Sequence, residues 1–380
     1  GQLLATRPDI LPPAFTQELS RLQDHAEPVP FQELLPILKK ELEAEPSRYF
    51  SWIDPNPIGS ASVAQVHRAR LLDGTEVVVK IQRPGVQKTI AQDLQLLHLL
   101  ASIVGDREEL SHLDPVGMVR TFERAIWREL DFRHELHNLE RLARDCADQP
   151  VRIPKPFPGL STRRVLTMEY LPGPSLKAAH IDAETGKRLA RDLTTTLFHQ
   201  IFFHGAFHAD PHPGNLLLGP DGRLGLIDFG NVARLGPRSI SELVGFIFAV
   251  VQRDYHLFAR QILRAGYVGE DVDLGELTAE IIDFLDPYYD LPLSDIDLGP
   301  LVNDLFGILL RYRIRLPSYY VLLGRALVTL EGTVRLLDPR FSVIDELKPH
   351  VKMLVIERWK PKNLLRDLRA EASEILGCIK

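Results

Sequence analysis

Two carboxylates and one amide lie close together in the sequence, on either side of a short apolar hairpin. Asp210 and Asn215 share one loop, and Asp228 follows the hairpin in an Asp-Phe-Gly triplet. The apolar runs after Asn215 and before Asp228 predict two short strands, and the Asp-Gly pair at 221–222 predicts the tight turn between them. A hairpin of this kind brings Asn215 and Asp228 to the same end, with Asp210 on the loop just before it.

These residue types suit phosphoryl transfer. Magnesium takes one or two oxygen ligands from side chains and the rest from phosphate and water. Asp228 and Asn215 can supply such ligands, which leaves Asp210 to orient the attacking hydroxyl or water. The spacing His-x-Asp-x-x-x-x-Asn, followed by Asp-Phe-Gly, is typical of the catalytic and metal loops of protein kinases, although Ala209 replaces the usual Arg. The alternative is an ordinary hairpin with surface polar residues, and the presence of both motifs disfavours it.

A run of small residues and a lysine-bearing strand precede this stretch. The small residues are Gly59, Ser60, Ala61 and Ser62, and such side chains let backbone amides approach phosphate groups closely. Lys80 lies near the end of a β-branched apolar run, where a buried ammonium group needs an anionic partner. One interpretation places Lys80 on nucleotide phosphates, and the other is a strand-end lysine that reaches solvent. The order of the motifs, which is the order in kinases, favours the first.

The partner of Lys80 is sought among the acids of residues 115–145, which are predicted to form one long helix. Most of its alternating charges are expected on a solvated, salt-bridged face. Glu135 lies one helical turn beyond Asp131, so the two share a face. Further along, the strand predicted over 164–171 stands where a kinase has its hinge strand. Backbone groups near Glu169 and Leu171 would then contact the adenine, although any buried strand could look the same.

Composition sets the broad class. The chain has 380 residues, of which 45% are hydrophobic and 25% charged, as in an ordinary soluble protein of one or two domains. Its net charge of −6 argues against nucleic acid as a partner. The two cysteines are too few for a disulfide framework, and no apolar run is long enough to span a bilayer. No signal peptide opens the chain, and the absence of a start Met suggests a trimmed sequence.

With these residues in view, the sequence resembles the UbiB-type atypical kinases, also called the ADCK or aarF-domain family, over nearly its whole length. The family opens with a Lys-x-Gly-Gln motif, and Gly1 and Gln2 are similar to its last two residues. Its Ala-rich loop corresponds to the small-residue run at 59–62, which departs from a plain triple Ala. Its Glu-x-Asp motif corresponds to Glu129 and Asp131, and the resemblance implies that Glu135 is the partner of Lys80.

The resemblance also implies a function. Members bind ATP with magnesium and hydrolyse it more readily than they phosphorylate proteins. Many support the biosynthesis of ubiquinone or other prenyl quinones at a membrane, so the expected partners are a quinone or isoprenoid lipid and quinone-biosynthesis proteins. The expected location is the cytoplasmic side of a bacterial membrane or the interior of an organelle. Contact with the membrane would be peripheral or through transmembrane helices absent from this chain.

The predicted fold class is α+β, a two-lobed protein-kinase-like fold with extra N-terminal helices and a mostly helical C-terminal lobe. Residues 1–50 are expected to form a helical extension over the cleft, with Gly1, Gln2, Glu129 and Asp131 as its lid motif. Residues 51–171 form the predicted small lobe, 172–350 the large lobe and 351–380 a basic, amphipathic tail.

Two other functions stay open at this stage. A small-molecule kinase of the aminoglycoside or choline type also carries a His-Pro-Gly-Asn-like loop, but the Ala-rich loop and the Glu-x-Asp motif speak against it. A nucleotide-sensing scaffold without catalysis is the second alternative. All the expected catalytic residues are present, which weakens it.

Overall fold

The structure is a computed structural model that describes residues 27–105, 115–267, 272–289, 291–292 and 295–358. The chain divides into two compact units, and neither is continuous in sequence. The first unit contains the residues up to Ala147, together with Ile153–Gly173 and Ile227–Asn231. The second contains Asp148–Arg152, Pro174–Leu226 and the residues from Val232 onward. An antiparallel sheet in the first unit and many helices in the second confirm the α+β prediction.

The sheet of the first unit has four antiparallel strands in chain order. They are β1 (Phe50–Ser60), β2 (Ala64–Leu71), β3 (Glu76–Gln82) and β4 (Val165–Glu169). Because side chains alternate along a strand, β3 directs Val77, Val79 and Ile81 to one face and Lys80 to the other. The apolar face packs against helix α1 (Phe31–Glu41) through Leu34 and Leu38, which are fully buried. Burying each such side chain stabilises the fold by roughly 1.5–3 kcal/mol.

Three further helices belong to the first unit: α2 (Val86–Gly105), α3 (Pro115–Glu129) and α4 (Phe132–Asp145). The prediction of one continuous helix over 115–145 was wrong, because the chain breaks between α3 and α4. Asp131 is the N-cap of α4, where its carboxylate accepts a hydrogen bond from the Arg133 N–H at 3.1 Å. A capping carboxylate satisfies a backbone donor that would otherwise lack a partner at the start of a helix.

The second unit contains two short strand pairs. Strands β5 (Ala206–His208) and β8 (Val232–Arg234) pair with each other, as do β6 (Leu216–Leu218) and β7 (Leu224–Leu226). The predicted hairpin is therefore confirmed, with Leu216 opposite Leu226. Gly222 in its turn has φ +74°, a conformation that glycine adopts without strain.

The remaining described α-helices all lie in the second unit. They are α5 (Ala183–His199), α6 (Pro237–Val251), α7 (Tyr255–Ala265), α8 (Leu274–Tyr289), α9 (Leu298–Arg311), α10 (Ser318–Leu337) and α11 (Val343–Arg358). Helices α7, α8 and α9 share an apolar core that includes Phe258, Ile281 and Ile308. In the part of the chain that the structure describes, no helix combines the length and the apolar character needed to cross a membrane.

Candidate functional site

Lys80 and Glu135 form a close ion pair in the first unit. The Lys80 ammonium donates to both carboxylate oxygens of Glu135, each at 2.8 Å. The Glu135 side chain is 6% exposed and that of Lys80 23%, so water screens the pair weakly. Burial alone would lower the pKa of Lys80, but the negative charges of Glu135 and Asp228 outweigh it and raise that pKa above its ordinary value. Lys80 is thus held as a cation.

Helix α4 also holds the Asp-Phe-Gly triplet. The Phe229 ring is fully buried, its backbone N–H donates to the Glu135 carboxylate, and its carbonyl accepts from Asn138 Nδ2 at 3.0 Å. Glu135 and Asn138 are three residues apart and therefore lie on one face of α4. One helix turn thus fixes both the lysine partner and the backbone beside Asp228. The role of Asn138 was not predicted, and its spacing from Glu135 is the signal that could have suggested it.

Asp228 lies in an acidic environment. Its Oδ1 accepts from the Gly230 N–H at 3.1 Å, and its charge acts on Lys80, Glu129 and Glu135. The protein atoms around the Glu129 carboxyl desolvate it and, with the charges of Asp228 and Glu135, raise its pKa to about 7, although the residue keeps an exposed surface. One lysine therefore faces more negative charge than it neutralises. Such a donor set fits a divalent cation, which prefers carboxylate oxygen.

Asp131 has a different environment from Glu129. It caps α4 and pairs with Arg133 at 2.5 Å, and the hydrogen bond from Arg133 lowers the pKa of Asp131. The other half of the predicted lid motif, Gly1 and Gln2, lies outside the described residues. The pairing of the lid with Glu129 and Asp131 stays a prediction.

The small-residue run at 59–62 covers the end of β1 and the start of the turn into β2. Its Ala61 N–H donates to the Ala64 carbonyl at 2.9 Å, and Ser60 Oγ accepts from Arg83 Nη2 at 2.9 Å. A methyl group on Gly59 would meet Val66 at 3.9 Å, which is ordinary contact. Packing within the described protein therefore leaves room for a side chain at position 59.

The same loop is connected to the segment that enters α1. The Val29 N–H donates to Gln65 Oε1 at 2.5 Å, and Gln65 Nε2 donates back to the Val29 carbonyl at 3.1 Å. Arg83 Nη2, which holds Ser60, also donates to the Glu27 carbonyl at 2.5 Å. Gln65 is fully buried, so its amide acts like a strand partner for the incoming chain. Sequence analysis did not find this attachment, because nothing local to Gln65 points to position 29.

The predicted hinge strand is β4. At its end the Glu169 N–H donates to the Lys155 carbonyl at 2.8 Å, and the Tyr170 N–H donates to the backbone carbonyl of Glu76 at 3.1 Å. Leu171 is 6% exposed. These pairings use the backbone donors of residues 169 and 170, and the contact of this segment with an adenine stays a prediction.

Asp210 and Asn215 lie in the second unit, on one loop with internal hydrogen bonds. The Asp210 N–H donates to His208 Nδ1 at 3.2 Å, and Asn215 Nδ2 donates to the Asp210 carbonyl at 3.2 Å. Because that contact uses the amide nitrogen, Oδ1 is the atom that Asn215 can offer a metal. Gln200 Oε1 accepts from the buried His208 N–H at 2.9 Å, which anchors the start of the loop.

An arginine that the sequence did not single out contacts the Asp210 carboxylate. Arg325 Nη2, from α10, donates to Asp210 Oδ2 at 2.5 Å. No cluster of three or more His, Cys, Asp and Glu side chains suited to a metal is found among the described residues. Magnesium does not need one, because water and phosphate supply most of its ligands.

Three features define a kinase-like protein. They are the lysine–glutamate pair, the Asp-Phe-Gly triplet that contacts the same helix, and the His-x-Asp loop that ends in Asn. Two family models match the chain: the ABC1 atypical kinase-like domain over residues 21–262 and the UbiB helical domain over residues 281–342. The chain belongs to this ABC1/UbiB family of atypical kinase-like proteins, which confirms the family and the fold class predicted from its sequence.

Similar proteins include bacterial and plant members. The chain is 34% identical over 381 residues to "Probable protein kinase UbiB" of Marinobacter nauticus, covering 97% of this chain and 69% of that protein. It is 32% identical over 377 residues to "Protein ACTIVITY OF BC1 COMPLEX KINASE 3, chloroplastic" of Arabidopsis thaliana, and spans 53% of that relative's length. A similar solved structure is the complex of Rv3197 with erythromycin from Mycobacterium tuberculosis. Its TM-score is 0.61 and its identity 25%, over 89% of this chain and 87% of that one.

Proposed function

We propose that the protein binds ATP with magnesium and hydrolyses the nucleotide as an atypical kinase. The observation that carries this proposal is the shared support of Lys80 and the Asp228 loop by α4, through Glu135 and Asn138. Catalysis of phosphoryl transfer is mostly positioning and charge stabilisation, and a helix that fixes both a phosphate-binding lysine and the metal loop serves that need.

The predicted catalytic, nucleotide-binding and metal-binding residues each have a proposed role. Lys80 binds nucleotide phosphates and Glu135 holds it, while the small-residue loop at 59–62 covers the phosphates. Glu169 and Leu171 offer backbone groups to the adenine. Asp228 and Asn215 are the magnesium ligands, and the place of Asn215 rests on its position in the catalytic-loop sequence. Bound magnesium would neutralise phosphate charge during transfer.

Asp210 is proposed to orient the attacking group. Its carboxylate can accept a hydrogen bond from water, which gives hydrolysis, or from the hydroxyl of a small acceptor. Membership of the ABC1/UbiB family supports this proposal over a small-molecule kinase of the aminoglycoside or choline type. The alternative is a nucleotide sensor that binds ATP without hydrolysing it. The ADP-release assay described below distinguishes the two, because residues that bind ATP do not by themselves establish hydrolysis.

The wider role proposed for the protein is support of quinone lipid biosynthesis. The name UbiB, carried by relatives of 34% identity, supports ubiquinone or a similar prenyl quinone as the pathway. A quinone or isoprenoid lipid and quinone-biosynthesis proteins are the proposed partners, at the surface of a bacterial membrane or inside an organelle. The proposed parts are an N-terminal extension (1–50), two lobes (51–171 and 172–350) and a tail that contacts the membrane (351–380).

The nucleotide proposal is tested by thermal unfolding of the full chain with and without Mg-ATP. A ligand present at about 100 times its Kd stabilises the folded state by about 2.7 kcal/mol, which raises the Tm by several degrees. We expect this shift for the unmodified chain and its loss in Asp228→Asn. Asp93→Asn, an exposed carboxylate on α2, is the matched control and should keep the shift.

An equal Tm shift in Asp228→Asn would contradict the role of this carboxylate. A shift that persists when a chelator removes magnesium would contradict the proposed metal. ADP release measured on the same samples separates an enzyme from a sensor, since a sensor would show the shift without turnover.

A further inference from the structure

Helix α10 makes two contacts with the loop that carries Asp210. The Arg325 guanidinium donates to Asp210 Oδ2 at 2.5 Å, and Thr333 Oγ1 donates to the Pro211 carbonyl at 2.9 Å. The two side chains are about two helical turns apart, so α10 lies along the loop rather than touching it at one point. Both contacts lie within the second unit.

Arg325 supplies a charge that the loop sequence lacks. Between His208 and Asn215 there is no lysine or arginine. The side chains of Arg325 and Asp210 are 21% and 19% exposed, so their charge-assisted hydrogen bond is partly shielded from water. Such a bond is shorter and stronger than one between neutral groups, and it is worth more than an exposed ion pair.

The contact with Arg325 makes the two oxygens of the Asp210 carboxylate different from each other. Arg325 engages Oδ2, while Oδ1 of Asp210 accepts no hydrogen bond from any residue that the structure describes. A carboxylate that is fixed through one oxygen keeps its other oxygen in a defined direction. A group that must accept a proton or a hydrogen bond from a nucleophile depends on that direction.

We propose that Arg325 is a positioning residue for phosphoryl transfer. It holds Asp210 through Oδ2, so that Oδ1 can accept a hydrogen bond from the hydroxyl or water that attacks the phosphoryl group. This inference rests on the proposed function and extends it, because it makes α10, which lies in the segment matched by the UbiB helical domain, a part of the active site. Thr333 fixes the neighbouring backbone.

The test is steady-state ADP release by the full chain with Arg325→Ala. Misplacing a catalytic group by about 1 Å can lower turnover roughly 100-fold, and we expect a fall in kcat of that order. The KM for ATP and the Mg-ATP Tm shift should stay unchanged, because Arg325 acts through Asp210. Arg340→Ala, an exposed arginine just beyond α10, is the matched control and should keep its activity.

Two further variants separate positioning from a structural role. Arg325→Lys keeps a cation but not the planar fork, so it should recover only part of the lost kcat. Added ethylguanidinium should restore turnover to Arg325→Ala, where it can occupy the vacated place. It should not restore turnover to Asp210→Asn, which lacks the carboxylate to be held.

The outcomes are distinct. Full kcat in Arg325→Ala, with normal turnover by the unmodified chain, would overturn the inference and leave the proposed function standing. A variant that loses its kcat and its Tm shift together, without rescue, would show that Arg325 is structural and would also overturn it. No turnover by the unmodified chain would overturn the proposed function, and this inference with it.

Discussion

Single residues of the first unit set an excess of negative charge around one cation. Lys80 interacts electrostatically with Glu135, Asp228 and Glu129, and it is hydrogen-bonded to Glu135. Desolvation by the surrounding protein, together with the negative charges of Asp228 and Glu135, raises the pKa of Glu129 to about 7 from its ordinary value of 4.5. The stability of the protein should therefore depend on pH through Glu129.

The expected direction follows from the two states of the chain. Above pH 7 Glu129 is ionised both folded and unfolded, and in the folded state its neighbours repel it. Between pH 7 and 4.5 the folded protein binds a proton that the unfolded chain does not, so this group adds stability as the pH falls through that window. Glu129→Gln should be more stable than the unmodified chain near pH 8, and that advantage should shrink towards pH 5.

Urea unfolding at these two pH values measures the difference. Glu33→Gln is the control, because this exposed acid on α1 forms no ion pair with any residue that the structure describes, and it should give the same difference at both pH values. A difference for Glu129→Gln that does not change with pH would mean that Glu129 titrates like an ordinary carboxyl.

Some of these residue roles could be predicted from the sequence and others could not. The resemblance selected Glu135 as the partner of Lys80, whereas charge pattern alone left several acids open. Asn138 and Arg325 were missed, because their partners Phe229 and Asp210 are far away in sequence: Arg325 and Asp210 are separated by 115 positions. Only the folded chain brings such groups together.

At the scale of elements, local signals were dependable where one short sequence fixes a turn. The hairpin of β6 and β7 was predicted from an Asp-Gly pair, and the structure forms it with Leu216 opposite Leu226. The prediction of one continuous helix over 115–145 was wrong because a local signal was overlooked. Asp131 is itself a local signal, an N-cap that favours the start of a new helix, and the continuous charge pattern around it hid the break.

The loop between β1 and β2 gives a prediction at this scale. Gly59→Ala should change the free energy of unfolding little, since its new methyl group would meet only Val66, at 3.9 Å, among the described residues. If the loop lies against phosphates, the same methyl group should weaken the affinity for Mg-ATP. Titration calorimetry measures that affinity, and Gly159→Ala, at another open glycine of the first unit, is the control that should bind normally. Unchanged affinity in Gly59→Ala would remove this loop from the nucleotide site.

At the scale of the whole molecule, residues that pack in one unit are not all continuous in the chain. The segment Ile227–Asn231 belongs to the first unit although it lies between two parts of the second. Within it, Phe229 is fully buried, and its backbone satisfies Asn138 and Glu135. The first unit therefore depends on residues that come long after its sheet is complete.

A chain truncated after Gly173 should consequently fail to unfold cooperatively. It lacks the Phe229 ring, whose loss from a core costs about 3–5 kcal/mol, and it leaves the Asn138 amide without its partner at Phe229. Thermal unfolding followed by circular dichroism tests this, with the full chain as reference. A truncated chain that melts sharply at the temperature of the full chain would show that the first unit stands without the segment.

The late insertion of Phe229 also has a consequence for biosynthesis. A ribosome adds roughly 5–20 residues per second, so the sheet and α4 leave the exit tunnel seconds before Phe229 does. During that interval the position that the Phe229 ring occupies in the folded protein is unfilled. The nascent chain would be most in need of a chaperone while residues 174–226 are being made, and a pause in translation there would lengthen its exposure.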